Sequence, residues 1–147
     1  MAHIIEGMFQ VAVPEGVPLL WAQIEAGRLV RAAVGTPPTC AGKLTWEVFN
    51  RMPLELQGTP FQVRVWEAAM TIPIGETVSY GELAEWVGRP GAQRAVAQAL
   101  KRNPIIWRVP CHRVIRSDGT LGGFAFGVAC KARMLSWEQR NKNNMKF

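Results

Sequence analysis

One short segment of this 147-residue chain combines side chains capable of nucleophilic chemistry. Cys111 is followed directly by His112 and Arg113, and it comes after an apolar run at residues 105–109 that predicts a strand. A neighbouring imidazole or guanidinium favours the thiolate, which is the reactive form of cysteine. A lone cysteine is more often a small core residue, so the two basic neighbours are the reason to expect a reactive thiol here.

A carboxylate near the end of the chain could complete such a site. Glu138 borders the apolar face of the last predicted helix, at residues 128–140, and a carboxylate in that position needs a partner. One candidate is His112, in a relay where Glu138 orients the imidazole and the imidazole takes the thiol proton. The alternative is a residue at the rim of the helix that pairs with Lys131 or Lys142.

The composition is that of an ordinary globular protein. Hydrophobic residues make up 48% and charged residues 19%, which excludes a disordered tail, a collagen-like repeat and a coiled coil. No apolar run is long enough to span a membrane, and residues 1–10 lack the features of a secretory signal. We therefore expect a protein of the cytoplasm, or of the nucleus if the source is a eukaryote.

The cysteines do not indicate a metal centre or a disulfide scaffold. There are three, widely spaced and without a CxxC pair: Cys40, Cys111 and Cys130. Such a pattern predicts no zinc site and fits a reducing environment. We expect Cys40 and Cys130 to be inert packing residues.

Charge is distributed unevenly along the chain. Residues 1–88 hold five Lys and Arg against nine Asp and Glu, whereas residues 89–147 hold twelve against two. The net charges are therefore −4 and +10, and the second part favours a polyanionic partner such as nucleic acid. The alternative is a basic surface that serves solubility.

The hydrophobic pattern changes along the chain and predicts an α/β (α+β) fold. Turn signals separate three strand-like runs, at residues 4–13, 18–25 and 28–34. A short helix is predicted at residues 43–51 and a linker at residues 56–60. The expected domains are a β-rich structural domain with its linker at residues 1–57, and a DNA-binding domain with the reactive cysteine at residues 58–147.

Capping signals mark the helices of the second part. Thr59 followed by Pro60 is an N-cap with proline at the first helical position. Ser79 and Glu82 have the spacing of a capping box. Three helices are predicted, at residues 60–70, 79–87 and 92–101.

The second and third of these helices, with a break at residues 88–91, suggest a helix-turn-helix. The third helix has a polar stripe of Arg94, Gln98 and Lys101. Its apolar face is predicted to contain Ala95, Val96, Ala99 and Leu100. Together with the basic charge, the stripe favours DNA binding, and the alternative is a solvated face of an amphipathic helix.

The segment at residues 110–115 resembles the active-site motif of the O6-alkylguanine-DNA alkyltransferases, the methylated-DNA–protein-cysteine methyltransferases. The resemblance covers residues 58–139 as an ordered set of blocks, whereas the first 57 residues show no specific match. The blocks lie at residues 58–62, 65–66, 72–73, 75–80, 83–84, 94–96, 103–105, 122–124, 131, 134–135 and 138.

The resemblance implies a role for each residue of the catalytic group. Cys111 would be the nucleophile and alkyl acceptor, and His112 its general base through a water. Glu138 would orient His112, and Asn103 would be the hinge asparagine that hydrogen-bonds near the thiolate. Tyr80 would line the guanine pocket, help to turn the nucleotide out and donate a proton to the leaving guanine.

The resemblance also implies how DNA and base are held. Arg94 would enter the duplex and fill the vacated stack. The other expected DNA contacts are Gln98, Lys101, Ala95, Ser79 and Arg113. The expected substrate pocket contains Tyr80, Val114, Phe124, Ala125 and Lys131. The sequence departs from some relatives at Ala125, where a serine can occur, and at Phe126, where others carry glycine or tryptophan.

The function implied is DNA repair by irreversible transfer of an alkyl group from O6-alkylguanine, or O4-alkylthymine, to Cys111 in a single turnover. The expected partner is double-stranded DNA contacted through the minor groove by a monomer, with no metal, cofactor or membrane. Three alternatives stay open. They are an alkyltransferase-like protein that binds the lesion without transfer, a helix-turn-helix regulator, and a Cys-His hydrolase that would turn over repeatedly.

Overall fold

The computed structural model describes residues 5–143, which divide into two compact units. The first extends to Gln57 and includes Pro104–Ile106, and the second consists of Gly58–Asn103 and residues 107–143. The predicted division at residues 57 and 58 placed all of the later residues in one domain. Residues 104–106 instead belong to the first unit, because the Ala32 amide donates to the Pro104 carbonyl and the Ile106 amide donates to the Ala32 carbonyl.

The first unit contains a four-stranded sheet and one short helix. The elements are β1 (Gly7–Val11), β2 (Leu20–Glu25), β3 (Arg28–Val34), β4 (Gly42–Leu44) and α1 (Trp46–Arg51). The sheet order is β3-β2-β1-β4, antiparallel except for the parallel pair of β1 and β4. All three predicted strands are present, although β1 and β2 are shorter than predicted and Ile4 lies outside the described residues. β4 was not predicted.

A tight turn sets the pairing of β2 with β3. Ala26 and Gly27 both have positive φ, of 51° and 75°. Two consecutive residues with positive φ give a turn whose twist matches that of a hairpin. A register shift between Gln23 and Ile24 then places Ala22 opposite Ala32, and both are buried.

The second unit is mainly helical. Its elements are α2 (Pro60–Ala69), β5 (Val78–Ser79), α3 (Tyr80–Trp86), α4 (Gln93–Lys101), β6 (Val114–Ile115) and α5 (Val128–Asn141), with a 3₁₀ turn at Cys111–Arg113. β5 and β6 form a small parallel sheet. Together, the two units confirm the predicted mixture of sheet and helices. No helix within residues 5–143 has both the length and the apolar character needed to cross a bilayer.

The predicted capping signals start their helices. Thr59 and Gln62 form a capping box before α2, and Ser79 and Glu82 form the one before α3. In each, the hydroxyl oxygen accepts from the third amide of the helix and the longer side chain accepts from the cap amide. Both boxes satisfy amides that have no partner inside the helix.

α2 packs against α4 through a large buried side chain. Trp66 is 1% exposed, and its indole Nε1 donates to the carbonyl of Ala99 at 2.8 Å. Val96, Ala99 and Leu100 form the buried face of α4. The predicted burial of Ala95 is wrong, because this residue lies on the exposed side of α4.

The predicted strand at residues 105–109 is also wrong. Ile105 forms an isolated bridge with Ala32, and the chain then turns at Trp107, whose φ is 78°. A short apolar run bounded by proline cannot distinguish a strand from a buried irregular segment.

Candidate active site

Cys111 begins the 3₁₀ turn after Pro110 and is 6% exposed. Its Sγ accepts a hydrogen bond from Nδ2 of Asn103 at 3.1 Å, and the same nitrogen donates to the carbonyl of Val109 at 2.7 Å. Asn103 follows the end of α4, so the helix end places an amide donor directly on the sulfur. The sequence prediction that Asn103 lies near the thiol agrees with this geometry.

Burial and the neighbouring polar groups have opposite effects on the pKa of the Cys111 thiol. Burial raises the pKa of the Cys111 thiol to about 11, while the hydrogen bond from Asn103 and the charge of Lys131 act to lower it. A thiol with this pKa is protonated at neutral pH, so reaction requires a base that takes the proton.

His112 follows Cys111 in the chain and is fully buried. Its Nε2 lies 3.0 Å from Oε1 of Glu138, and its ring stacks on Trp107 with 5.2 Å between centroids. Burial lowers the pKa of His112 and outweighs the opposing effect of Glu138, so the imidazole is neutral at pH 7. The carboxylate selects the tautomer with its proton on Nε2. Nδ1, which has no hydrogen-bond partner among residues 5–143, then carries the basic lone pair.

Glu138 is held from two sides. Besides His112, it accepts from Arg113, whose Nε lies 2.9 Å from Oε1 and whose Nη2 contacts Oε2. Burial alone would raise the pKa of Glu138, but these hydrogen bonds and charges outweigh it and the pKa lies below its ordinary value. Glu138 is therefore an ionised, fully buried carboxylate that forms an ion pair with Arg113 and faces the neutral imidazole of His112, and it is not a rim residue.

The prediction that Arg113 contacts DNA disagrees with the structure. Its side chain is 12% exposed, and besides Glu138 it donates from Nη1 to the carbonyl of Ile72 at 2.7 Å. The guanidinium is thus committed to internal acceptors rather than turned outward to contact DNA. Nothing in the spacing of the motif indicates which way this side chain points.

Lys131 is a buried cation on α5. Its Nζ donates to the carbonyl of Val114 at 2.7 Å and contacts the carbonyl of Leu121, and it lies 3.4 Å from the hydroxyl of Tyr80. Burial lowers the pKa of Lys131 to about 8. Lys131 and Val114 were expected in the substrate pocket, but neither lines the cleft described below. Lys131 instead holds the loop that forms one of its walls.

A cleft of about 350 Å³ opens over Cys111. Tyr80 and Arg94 line it, so the structure brings together the expected alkyl acceptor Cys111, the tyrosine expected to line the guanine pocket and the arginine expected to fill the vacated stack. The other lining residues are Gln93, Ala97, Leu100, Lys101, Arg116, Gly122, Gly123, Phe124 and Ala125. None of the lining residues is acidic. A largely apolar cleft with a few polar groups is the usual form of a small-molecule or base pocket.

Some expected DNA contacts lie elsewhere. Gln98 and Ala95 border a neighbouring groove of about 240 Å³ together with Arg102. Ser79 caps α3, and Phe126 packs edge-on against Phe124 without lining the cleft. Six lining residues were not among the expected site residues: Gln93, Ala97, Leu100, Arg116, Gly122 and Gly123. In the sequence, only the position of Gln93 directly before Arg94 could have indicated a site residue. For Arg116, the only indication was its position directly after the motif at residues 110–115.

Comparison with known proteins places this geometry in a family. Residues 60–140 match the model of the family described as 6-O-methylguanine DNA methyltransferase, DNA binding domain, over more than half of the chain. The chain belongs to the 6-O-methylguanine DNA methyltransferase family. The predicted resemblance is thereby confirmed, and the match ends two residues after Glu138.

Two curated relatives of this methyltransferase family show the extent of the similarity. The methylated-DNA–protein-cysteine methyltransferase of Mycobacterium leprae is 49% identical over 115 residues, which are 78% of this chain and 68% of that protein. The bifunctional transcriptional activator/DNA repair enzyme Ada of Escherichia coli is 52% identical over 91 residues. This chain spans only 26% of the length of the Escherichia coli protein.

Solved structures of methyltransferases have the same fold. The crystal structure of Mycobacterium tuberculosis OGT in complex with DNA has a TM-score of 0.75 and 32% identity, and the match covers 90% of this chain and 93% of that one. An archaeal O6-methylguanine-DNA methyltransferase from Pyrococcus kodakaraensis, at 24% identity and a TM-score of 0.63, shares the fold. The structural similarity therefore extends beyond the family match at residues 60–140 to the first, β-rich unit.

Replacement of Asn103 by alanine is expected to slow alkylation of Cys111 by free O6-benzylguanine about tenfold at neutral pH. The amide donates to the sulfur and stabilises the thiolate, and a hydrogen bond to a charged group is worth about 1.5 kcal/mol or more. The rate deficit should shrink as the pH rises towards the pKa of the thiol. Asn141→Ala, which removes an amide that donates to the Trp137 carbonyl on α5, is the control. A deficit equal at all pH values would assign Asn103 a purely steric role.

Gly122→Ala is expected to slow the reaction with free base and duplex alike. Gly122 has a φ of 74°, and a Cβ there would lie 3.0 Å from the hydroxyl of Tyr80. Displacement of a pocket residue by about 1 Å can cost on the order of a hundredfold in rate. Gly119→Ala is the matched control, because its φ is 88° and nothing lies within 4 Å of a Cβ there. Equal losses in both variants would attribute the effect to backbone strain.

Proposed function

We propose that the protein repairs DNA by transferring an alkyl group from O6 of guanine to Sγ of Cys111, once per molecule. The observation that carries the proposal is the position of the Cys111 thiol in the cleft, followed in the chain by the neutral imidazole of His112, whose Nε2 faces a buried carboxylate. Family membership supports the same chemistry.

In the proposed reaction, a water molecule carries the thiol proton from Cys111 to Nδ1 of His112, and Glu138 stabilises the resulting imidazolium. The sulfur then forms a bond to the alkyl carbon as the bond from that carbon to O6 breaks, and the electron pair of the broken bond stays on the guanine. The thioether product is stable, and no reaction within this site regenerates the thiol. The protein is therefore consumed stoichiometrically.

Tyr80 is the proposed proton donor to the leaving guanine. Burial raises the pKa of Tyr80, as does a negative charge on Cys111, so the hydroxyl remains protonated until a base accepts from it. Nζ of Lys131 lies 3.4 Å from that hydroxyl. The cation can stabilise the tyrosinate that forms when the proton leaves.

The proposed substrate is double-stranded DNA with an everted O6-alkylguanine, bound through its minor groove by one protein molecule. A thiolate in a cleft cannot reach an alkyl group on a stacked base, so the nucleotide must leave the stack at a cost of a few kcal/mol. Arg94 and Lys101 from α4 line the cleft and offer cations to the phosphates. Arg94 is the proposed side chain that replaces the base in the duplex.

The direct test is intact-protein mass spectrometry after mixing with a duplex that carries O6-methylguanine. We expect one added methyl group per molecule, which peptide mapping places on Cys111 and not on Cys40 or Cys130. Tight lesion binding without a change in mass would overturn the proposal in favour of a protein that only recognises the lesion. Repeated turnover on an acyl substrate would favour a hydrolase.

Arg94→Ala is expected to slow repair of duplex DNA about tenfold or more and to leave the reaction with free O6-benzylguanine unchanged, since only the duplex requires base eversion. Gln98→Ala is the control, because Gln98 lies on the same helix but outside the cleft. The measurement is the single-turnover rate with each substrate. Equal losses on both substrates would contradict a role of Arg94 in eversion.

A further inference from the structure

Arg116 is a cleft residue that the proposed reaction does not use. It follows β6 and lines the same cleft as Cys111 and Tyr80, whereas the other cations of the lining come from α4. An ideal Cβ on Gly122 would lie 3.0 Å from the Tyr80 hydroxyl and 3.5 Å from Cγ of Arg116. The side chain of Arg116 therefore begins beside the tyrosine, on a different chain segment from Arg94.

The backbone of Arg116 is fixed while its guanidinium is free. Its amide donates to the carbonyl of Thr120 at 2.9 Å, and its carbonyl accepts from the amide of Gly119 at 3.0 Å. Asp118 is the nearest carboxylate in sequence, and its Oδ1 accepts from the amide and hydroxyl of Thr120. Within residues 5–143 the guanidinium of Arg116 forms no hydrogen bond or ion pair.

A solvent-exposed guanidinium without an internal partner, at a cleft that has no acidic lining residue, is suited to an anion. Its fork of donors matches the oxygens of a phosphate. Contact with the base itself is less suitable, because bidentate recognition of guanine uses O6 and N7 as acceptors, and alkylation converts O6 into an ether oxygen.

We propose that Arg116 binds a backbone phosphate next to the everted nucleotide, so that the DNA strand is held from the loop after β6 as well as from α4. This inference rests on the proposed function. The phosphate is either the one on the 5′ side or the one on the 3′ side of the lesion, and the experiment below distinguishes them.

The first experiment compares Arg116→Ala, Arg116→Lys and Arg64→Ala. Arg64 is an exposed residue of α2 that lines none of the cavities described, so it controls for net charge. We expect Arg116→Ala to lose more in duplex binding than in its reaction with free O6-benzylguanine, which has no phosphate. Its duplex affinity should show a salt slope lower by about 0.9, so that the loss of affinity from 50 to 200 mM salt is about three- to fourfold smaller. Arg116→Lys should keep the slope.

The second experiment replaces single phosphates by neutral methylphosphonates on either side of the lesion. In the wild-type protein, one of the two replacements should weaken binding, and in Arg116→Ala the same replacement should have no further effect. Additive effects at both positions, or an equal loss with the free base, would overturn the proposal. This binding cycle does not depend on transfer, so it decides the role of Arg116 even if the wild-type protein forms no adduct at Cys111 and the proposed function fails.

Discussion

Cys111→Ala is expected to abolish alkyl transfer completely and to leave affinity for lesion-containing DNA within about twofold, since phosphate contacts dominate such affinity. The substitution removes the only atom proposed to accept the alkyl group. The cations of α4 and the wall of the cleft remain, because the side chain replaced is small and buried in the 3₁₀ turn. Transfer is measured by the mass of the intact protein, and binding by fluorescence anisotropy with a labelled duplex.

Matched variants at the other cysteines provide the control. Cys40 is exposed and Cys130 is partly exposed, and neither lines the cleft. Cys40→Ala and Cys130→Ala should each accept one methyl group at the wild-type rate. If Cys111→Ala lost DNA binding as well as transfer, the cysteine would be required for folding. If Cys111→Ala still formed an adduct on Cys130, Cys111 would not be the alkyl acceptor.

Glu138→Gln should have the largest effect on stability, about 3–5 kcal/mol lower free energy of unfolding, the usual cost of breaking a buried ion pair. The amide leaves the guanidinium of Arg113 beside a neutral partner in a site that is 12% exposed. It also removes the charge that selects the tautomer of His112. We therefore expect a lower alkylation rate even at temperatures where the variant is folded. Urea denaturation and single-turnover kinetics measure the two effects.

A double variant separates stability from chemistry. Arg113→Met combined with Glu138→Gln removes both charges, so much of the lost stability should return. The alkylation rate should stay low, because His112 still lacks its carboxylate. Recovery of the rate together with stability would mean that Glu138 serves only the fold.

The pH dependence of stability has a defined sign. In the folded protein the pKa of Glu138 lies below its ordinary value of 4.5, so its stabilisation is complete above that pH and is lost as the pH falls through the folded pKa. The pKa of His112 also lies below its ordinary value, which is 6.5, so acidification below that pH favours the unfolded state as well. Glu138→Gln should remove the first contribution and flatten the acid limb of the stability curve. An unchanged acid limb would contradict the ionised state of Glu138.

Local signals in the sequence were sufficient for much of the fold. The capping box at Ser79 depends on a residue three positions away, and the N-cap at Thr59 was recognised from the proline that follows it; both helices begin where predicted. β3 occupies the predicted residues, because its turn residues and apolar run adjoin each other. β4 was missed, since a strand of three residues is defined by its parallel partner β1, which lies far away in sequence.

In the candidate site, too, the sequence did not predict contacts between residues that are distant along the chain. Cys111, His112 and Glu138 could be chosen from residue type and resemblance, and the structure places them together. The sequence could not predict where the side chains of Arg113 and Lys131 point, because a long cationic side chain is equally suited to solvent, to DNA or to buried acceptors. Only the tertiary structure supplies Glu138 and the Ile72 carbonyl to Arg113, and the carbonyls of Val114 and Leu121 to Lys131.

The dependence of the site on α5 has a consequence during synthesis. On the ribosome, Cys111 is made 20 residues before Lys131 and 27 before Glu138. Until α5 has been translated and packed, the thiol has neither the neighbouring cation nor the carboxylate that orients its base. A nascent chain therefore carries an ordinary cysteine, and selective reaction with an alkylated guanine becomes possible only when the second unit is complete.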